Sequence, residues 1–297
     1  MDRVLEYEIP SEYDGANITT VLKRHFKIST NLIKDLKKYK EGIQVNGEHR
    51  RVVDFVAKGD ILKITIRDTA SENIVPTDIP LDIVYEDEDV LVINKPPNMP
   101  THPSMGNYEN SLANGVMYYY KSKGEERVFR AVNRLDKDTS GLMAVAKNSY
   151  IHARLGEEIQ KKELKRKYMC IVCGDVEHDG TVDAPIRRAD GSVINRIVAP
   201  DGQRAVTHYR VIKRYREYTL LEMELETGRT HQIRVHMAYI GHPLVGDWLY
   251  GTEDHNIAKR QMLHSCYLCF THPITGQIME FKDEMAEDMR AFIEKLS

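Results

Sequence analysis

The sequence predicts an α+β protein, a small helix-and-hairpin module ahead of a larger region that mixes strands and helices. Three observations carry that expectation. Helical apolar spacing near the start of the chain runs directly into an Asn46-Gly47 turn signal. A polar, acidic stretch containing Pro76 and Pro80 then interrupts the pattern. Beyond it, strand-like and helix-like segments alternate.

In chain order, residues 18–26 and 32–39 read as helices, the second with Leu32, Ile33 and Leu36 on its apolar face and Gly42 as its stop. Residues 43–45, 52–56 and 61–66 read as strands, the first leading into Asn46-Gly47. Residues 1–67 therefore form one unit, 68–80 a linker, and 81–297 the main domain. Within the latter, 81–85 and 90–94 are strand-like, and the Lys95-Pro96-Pro97 step that follows favours an extended loop. A helix is expected over 148–160, with Ile151, Leu155 and Ile159 on one stripe, followed by the basic run 161–167. Residues 168–173 and 219–225 read as strands. Residues 230–240 read as a helix capped by Thr230, stopped by Gly241 and burying Ile233, Met237 and Ile240.

A chain of 297 residues, 41% hydrophobic and 29% charged, has the composition of a soluble globular protein with room for two domains. No apolar run reaches the length that spans a bilayer, and the charged start of the chain does not read as a secretion signal. Four cysteines are too few for a disulfide framework at this length, so a reducing cytoplasm is expected. The net charge of −3 excludes a uniformly basic nucleic-acid binder. Its distribution is uneven: residues 14–67 carry twelve Lys/Arg against six Asp/Glu, and residues 68–89 carry eight acids and no Lys or Arg. Such a split fits a basic face turned to a polyanion, and equally two ordinary solvated surfaces.

The densest chemistry lies in Asn133-Arg134-Leu135-Asp136-Lys137-Asp138-Thr139-Ser140-Gly141-Leu142. A carboxylate on a loop beside a cation and a glycine suits nucleophilic or general acid–base work, while Asp136 and Asp138 read equally well as turn-stabilising aspartates. The pairs Cys170-x-x-Cys173 and Cys266-x-x-Cys269 have zinc-like spacing, but both fall in strand-like segments, where positions i and i+3 face opposite sides. Buried thiols are the expectation, with no metal. His231, His236 and His242 lack metalloprotease spacing, and no Gly-rich nucleotide loop occurs, so no cofactor is expected.

Two family resemblances organise these residues. Ser29-Thr30-Asn31-Leu32-Ile33-Lys34, followed by Gly42-Ile43-Gln44-Val45-Asn46-Gly47, resembles the S4-type RNA-binding domain, with Thr30 where that family often has arginine. The resemblance implies an RNA-facing helix pair carrying Lys34, Lys37 and Lys38. Arg-Leu-Asp-x-x-Thr-Ser-Gly-Leu resembles the central motif of the RluA-type (large-ribosomal-RNA) pseudouridine synthases. The match extends in order through residues 85–96 with His102-Pro103, Leu164–Tyr168, Thr227–Met237, Gly241–Asp247, Leu263–Ser265 and His272–Gly276. It implies a catalytic domain built on a curved, largely antiparallel mixed sheet flanked by helices.

What the resemblance implies for roles is specific. Asp136 acts at the ribose of a flipped uridine, Tyr168 packs on the base, and Arg234 pairs with the carboxylate. Leu263 closes the pocket, and Arg134 fills the gap left in the RNA stack. Asn133 stands where the family usually has histidine, and asparagine carries no proton at neutral pH. The expected activity is isomerisation of uridine to pseudouridine in structured RNA, ribosomal RNA first and transfer RNA second. The rivals are an RNA-binding or chaperone protein that keeps the fold without turnover, and a glycosidase that releases the base.

Overall fold

The structure is a computed structural model describing residues 2–67, 74–251 and 257–296. Residues 68–73 of the expected linker lie outside the described residues.

The first unit is a four-stranded antiparallel sheet backed by two helices. Strand β1 (Arg3–Glu8) is followed by α1 (Ile18–Arg24), α2 (Thr30–Leu36), β2 (Ile43–Val45), β3 (Glu48–His49) and β4 (Ile61–Ile66), in the spatial order β1-β4-β2-β3. Both helices start on side-chain caps: Asn17 accepts from the Thr20 amide and Ser29 from that of Leu32. Asn46 and Gly47 take positive φ, as a tight hairpin requires.

Several local expectations are corrected. Residues 52–56 do not form a strand, because the Val52 and Asp54 carbonyls accept from the Thr19 and Ile18 amides at the start of α1. The second helix ends at Leu36 rather than Tyr39. Gly42 therefore does not stop it directly; it lies where a Cβ would collide with the Leu36 carbonyl. Strand β1, paired along β4 from Arg3↔Ile66 to Glu8↔Ile61, was not legible among the charges of the first residues.

The remaining chain contributes β5 (Asp82–Glu86), β6 (Val90–Lys95), α3 (Leu112–Ser122), β7 (Ser140–Ala146), α4 (Ser149–Gln160) and β8 (Lys165–Cys173). After these come β9 (Gly180–Asp183), β10 (Ile186–Arg188), β11 (Arg196–Val198), β12 (Val206–Arg214) and β13 (Tyr218–Leu225). The chain closes with α5 (Gln232–Tyr239), β14 (Leu263–Thr271), β15 (Ile278–Lys282) and α6 (Glu287–Glu294). Nine strands form one sheet in the order β5-β6-β7-β14-β8-β13-β12-β9, with β15 paired to β14. Its pairings are antiparallel except β7 with β14, so the largely antiparallel mixed sheet expected from the sequence is present. Gly141 (φ +110°) permits the parallel contact, since a Cβ there would meet the Ser265 backbone at 2.3 Å.

One face of the β6–β7 pair carries Val90, Val92, Leu142 and Ala144, and these share a core with α4 and with the first unit. Arg3 holds the buried Asp89 bidentately at 2.8 and 2.9 Å, and the Tyr150 hydroxyl donates to the Phe26 carbonyl at 2.9 Å. The other face carries Leu91, Ile93, Met143 and Val145 under α3 and, further along the sheet, Tyr168 and Ile233. Alternation along β6 and β7 thus commits one side to the N-terminal unit and the other toward the cleft. Among the described residues no helix is long and apolar enough to cross a membrane.

Candidate active site

Asp136 sits on the loop leading into β7, and the loop's backbone is fixed from four directions. Asn133 accepts from the Ala144 amide at 2.9 Å and donates to the Leu142 carbonyl at 3.4 Å, extending the antiparallel ladder beside β7 with its side chain. Thr101 donates to the Leu135 carbonyl at 2.8 Å. The wholly buried Lys95 ammonium donates to the carbonyls of Pro96, Met99 and Lys137 at 2.8, 2.8 and 3.1 Å. Arg260 donates to the Asp138 carbonyl at 2.9 Å. The Thr139 amide closes the turn on the Asp136 carbonyl at 3.1 Å, leaving the Asp136 side chain one-quarter exposed at the floor of a cleft of about 640 Å³.

Arg234, on α5, brings Nη1 to 3.2 Å from Asp136 Oδ2. Its other edge is clamped by Asp247, with Nε and Nη2 at 2.7 and 2.8 Å. Asp247 is wholly buried and also accepts from the Leu249 and Tyr250 amides. Burial alone would lower the Arg234 pKa, but Asp247 and then Asp136 outweigh it and raise it. The arginine is a fixed cation at the cleft wall.

Tyr168 and Leu263, neighbours across the sheet on β8 and β14, are both 4% exposed and line the same cleft. Burial raises the Tyr168 phenol above its ordinary pKa, Arg166 draws it down and the Asp136 charge raises it again. Arg134 is exposed at the rim of the cleft. Five of the expected residues, Asp136, Tyr168, Arg234, Arg134 and Leu263, therefore meet in one place. Lys34, Lys37 and Lys38 are exposed on the N-terminal unit and do not line the cleft.

The helix expected over 230–240 begins later, at Gln232, and Thr230 does not cap it. His231 occupies the cap position with φ +58° and no side-chain cap bond. The turn before it is instead pinned by Gln232, which accepts from Thr227 Oγ1 and the Arg229 amide and donates to Val206 and Thr207. Ile240, expected in the core, is only half-buried. His231 lies 3.9 Å from Asp136 and bonds to the Tyr250 hydroxyl at 2.8 Å, while His236 and His242 bond to protein groups elsewhere.

Among the described residues no group of three or more His, Cys, Asp or Glu could hold a metal ion. Cys170 and Cys266 are buried, whereas Cys173 and Cys269, also expected to be buried, are half-buried. The i, i+3 alternation on β8 and β14 separates each pair.

Sequence reasoning missed Asp247, Lys95 and Thr101 as members of the site. Asp247 ends the apolar run Pro243-Leu244-Val245-Gly246, and a carboxylate there was the available signal. Lys95 falls inside the matched stretch 85–96 without being singled out, and Thr101 acts through the Leu135 carbonyl of a distant loop, for which the sequence carries no mark.

With this geometry in hand, comparisons with known proteins converge. A family model described as RNA pseudouridylate synthase matches residues 89–239. A Bacillus subtilis (strain 168) protein described as an uncharacterized RNA pseudouridine synthase is 44% identical over 90% of this chain and 94% of its own length. The ribosomal large subunit pseudouridine synthase D of Pasteurella multocida (strain Pm70) is 40% identical over 86% of this chain and 83% of that protein. Among solved structures, human RNA pseudouridylate synthase domain containing 4 superposes with a TM-score of 0.58 at 23% identity, covering 72% of this chain and 92% of that one. That structural likeness concerns the fold.

Proposed function

Because the chain belongs to the RNA pseudouridylate synthase family, we propose that it isomerises specific uridines of ribosomal RNA in the cytoplasm, with Asp136 as the reacting carboxylate. The observation that carries this reading is the Asp136–Arg234 pair, 3.2 Å apart in a cleft whose wall is Tyr168 and Leu263.

The reaction breaks the C1′–N1 bond of uridine, turns the base and joins C1′ to C5. N1 gains a proton and C5 loses one. Asp136 acts at the ribose, attacking C1′ or taking the C2′ proton, and the clamped Arg234 keeps its carboxylate aimed. Tyr168 lies on the extruded base and Leu263 closes over it. Flipping costs about a few kcal/mol of stacking. Arg134, exposed at the rim, recovers part of that by placing its planar guanidinium in the vacated stack.

The Asn133 side chain supports turnover rather than a silent fold. Both of its polar atoms are engaged by backbone groups of β7, so its work is to shape the loop, which needs no titrating proton. Residues 1–67 serve as an RNA-binding unit of the S4 type, with Lys34, Lys37 and Lys38 on phosphates.

Mapping pseudouridines in total RNA with and without the gene tests the assignment. Loss of specific sites in large-subunit ribosomal RNA is the expected result. Loss confined to transfer RNA would move the substrate, and free uracil as product would replace the isomerase by a glycosidase.

A further inference from the structure

Four arginines are buried among the described residues: Arg127, Arg166, Arg234 and Arg260. Three are paired. Arg127 holds Glu125 and the Lys147 carbonyl, Arg234 holds Asp247 and Asp136, and Arg260 holds Asp288 and three carbonyls. Arg166 is 8% exposed, its Nε is enclosed without a hydrogen-bond partner, and its side chain makes no hydrogen bond or ion pair among the described residues. Only Nε is fully enclosed, at a desolvation cost no protein group offsets. The unpaired terminal nitrogens are not enclosed, and in the cleft an anionic ligand can complete the charge.

Arg166 lines the Asp136 cleft, and its terminal nitrogens run beside Gly228, where an added Cβ would lie at 3.4 and 3.7 Å. The nearby carboxylate of Glu226 does not serve it, being occupied by Lys162, Arg204 and His208. Among the described residues Arg166 is thus the buried guanidinium of this cleft that no carboxylate balances. Arg166 and Tyr168 lie two residues apart on the same face of β8, a step of about 7 Å. A base lying on Tyr168 leaves Arg166 at the reach of the sugar–phosphate backbone rather than of the ring. A neutral uracil carbonyl would leave the guanidinium charge unbalanced; a phosphodiester would balance it, and it matches the planar fork of donors.

We propose that Arg166 is the phosphodiester-binding residue of this cleft, gripping a backbone phosphate that flanks the flipped uridine. The inference rests on the function proposed above and deepens it.

Two measurements test it. Binding of a short oligouridylate to wild type and Arg166→Met is followed against salt. Loss of one phosphate contact makes the log–log slope shallower by about one unit in the variant, while Arg166→Lys keeps the wild-type slope. In the second, a synthetic hairpin carries a neutral methylphosphonate in turn at each phosphate flanking the reacting uridine. At one position wild-type kcat/KM falls about ten- to a hundredfold, the worth of a charge-assisted contact, and Arg166→Met, already that low, loses little more. An unchanged salt slope, or a wild type indifferent to every methylphosphonate, overturns the proposal. The second arm uses intact wild-type protein, so a variant that fails to fold leaves it readable. Oligouridylate binding needs no turnover. Absence of pseudouridine therefore sinks the function, whereas pseudouridine formed with an unaltered slope in Arg166→Met sinks only this inference.

Discussion

Arg234 spends two nitrogens on Asp247 and one on Asp136, so the Asp136 carboxylate is held by an arginine that is itself held. The order of distances, 2.7 and 2.8 Å to Asp247 against 3.2 Å to Asp136, makes Asp247 the anchor. Asp247→Asn preserves the shape and removes the charge. It is expected to lower kcat about a hundredfold through misplacement of Arg234, with RNA affinity near wild type in a filter-binding assay. A loss confined to affinity would contradict the anchoring role.

Lys95 ties the Pro96 and Met99 carbonyls after β6 to the Lys137 carbonyl of the Asp136 loop. Replacing it by methionine keeps the volume and strips those acceptors of their donor. Thermodynamic stability should fall by about 3 kcal/mol, measured by urea unfolding, and turnover should fall further than binding. Wild-type stability with wild-type kcat would show that the carbonyls need no such donor.

Glu86 supplies an acid-sensitive brace at the outer edge of the sheet. Burial alone would raise its carboxyl pKa, but bonds from Lys123, Lys147 and Tyr119 outweigh that and hold it at about 2, below its ordinary 4.5. A depressed carboxyl stabilises the fold above its unfolded value and loses that contribution as pH falls through the folded one. The stability advantage of wild type over Glu86→Gln should therefore be full above pH 4.5 and vanish toward about 2. A difference that grows on acidification would refute the pairing.

The N-terminal unit shares its core with the catalytic sheet, so deleting it would bare apolar surface on β6 and β7. Charge reversal is the cleaner probe. Changing Lys34, Lys37 and Lys38 together to glutamate should weaken RNA binding about tenfold or more and flatten its salt dependence, leaving kcat at saturating RNA unchanged. Unaltered affinity would remove the unit from the RNA interface.

Where the sequence reading placed an element correctly, local signals and tertiary demands agreed; α3, α6, β7, β9 to β12 and β15 were not read from the sequence. Asn46-Gly47 needed positive φ, Asn148 capped α4, and Ile151 and Leu155 were both buried as their spacing required. The misreadings have a common cause, in that tertiary partners took over groups that local rules assign elsewhere. The Val52 and Asp54 carbonyls went to α1, and Gln232 organised the turn that Thr230 was expected to cap. In the site, Asp136, Tyr168, Arg234, Arg134 and Leu263 were readable from the motifs and line the cleft, whereas Arg166 lines it too and was not singled out. Lys95 and Asp247 lie inside matched stretches, but the carbonyls and the second ion pair through which they act, like the Thr101–Leu135 bond, carry no sequence mark.

The central claim is that the Asp136 carboxylate reacts. The direct measurement is pseudouridine formation in unmodified large-subunit ribosomal RNA by wild type and by Asp136→Asn, with RNA affinity determined in parallel. The geometry predicts product from the wild type and none from the variant at equal affinity, since phosphate contacts carry the binding. Wild-type turnover by Asp136→Asn would contradict it.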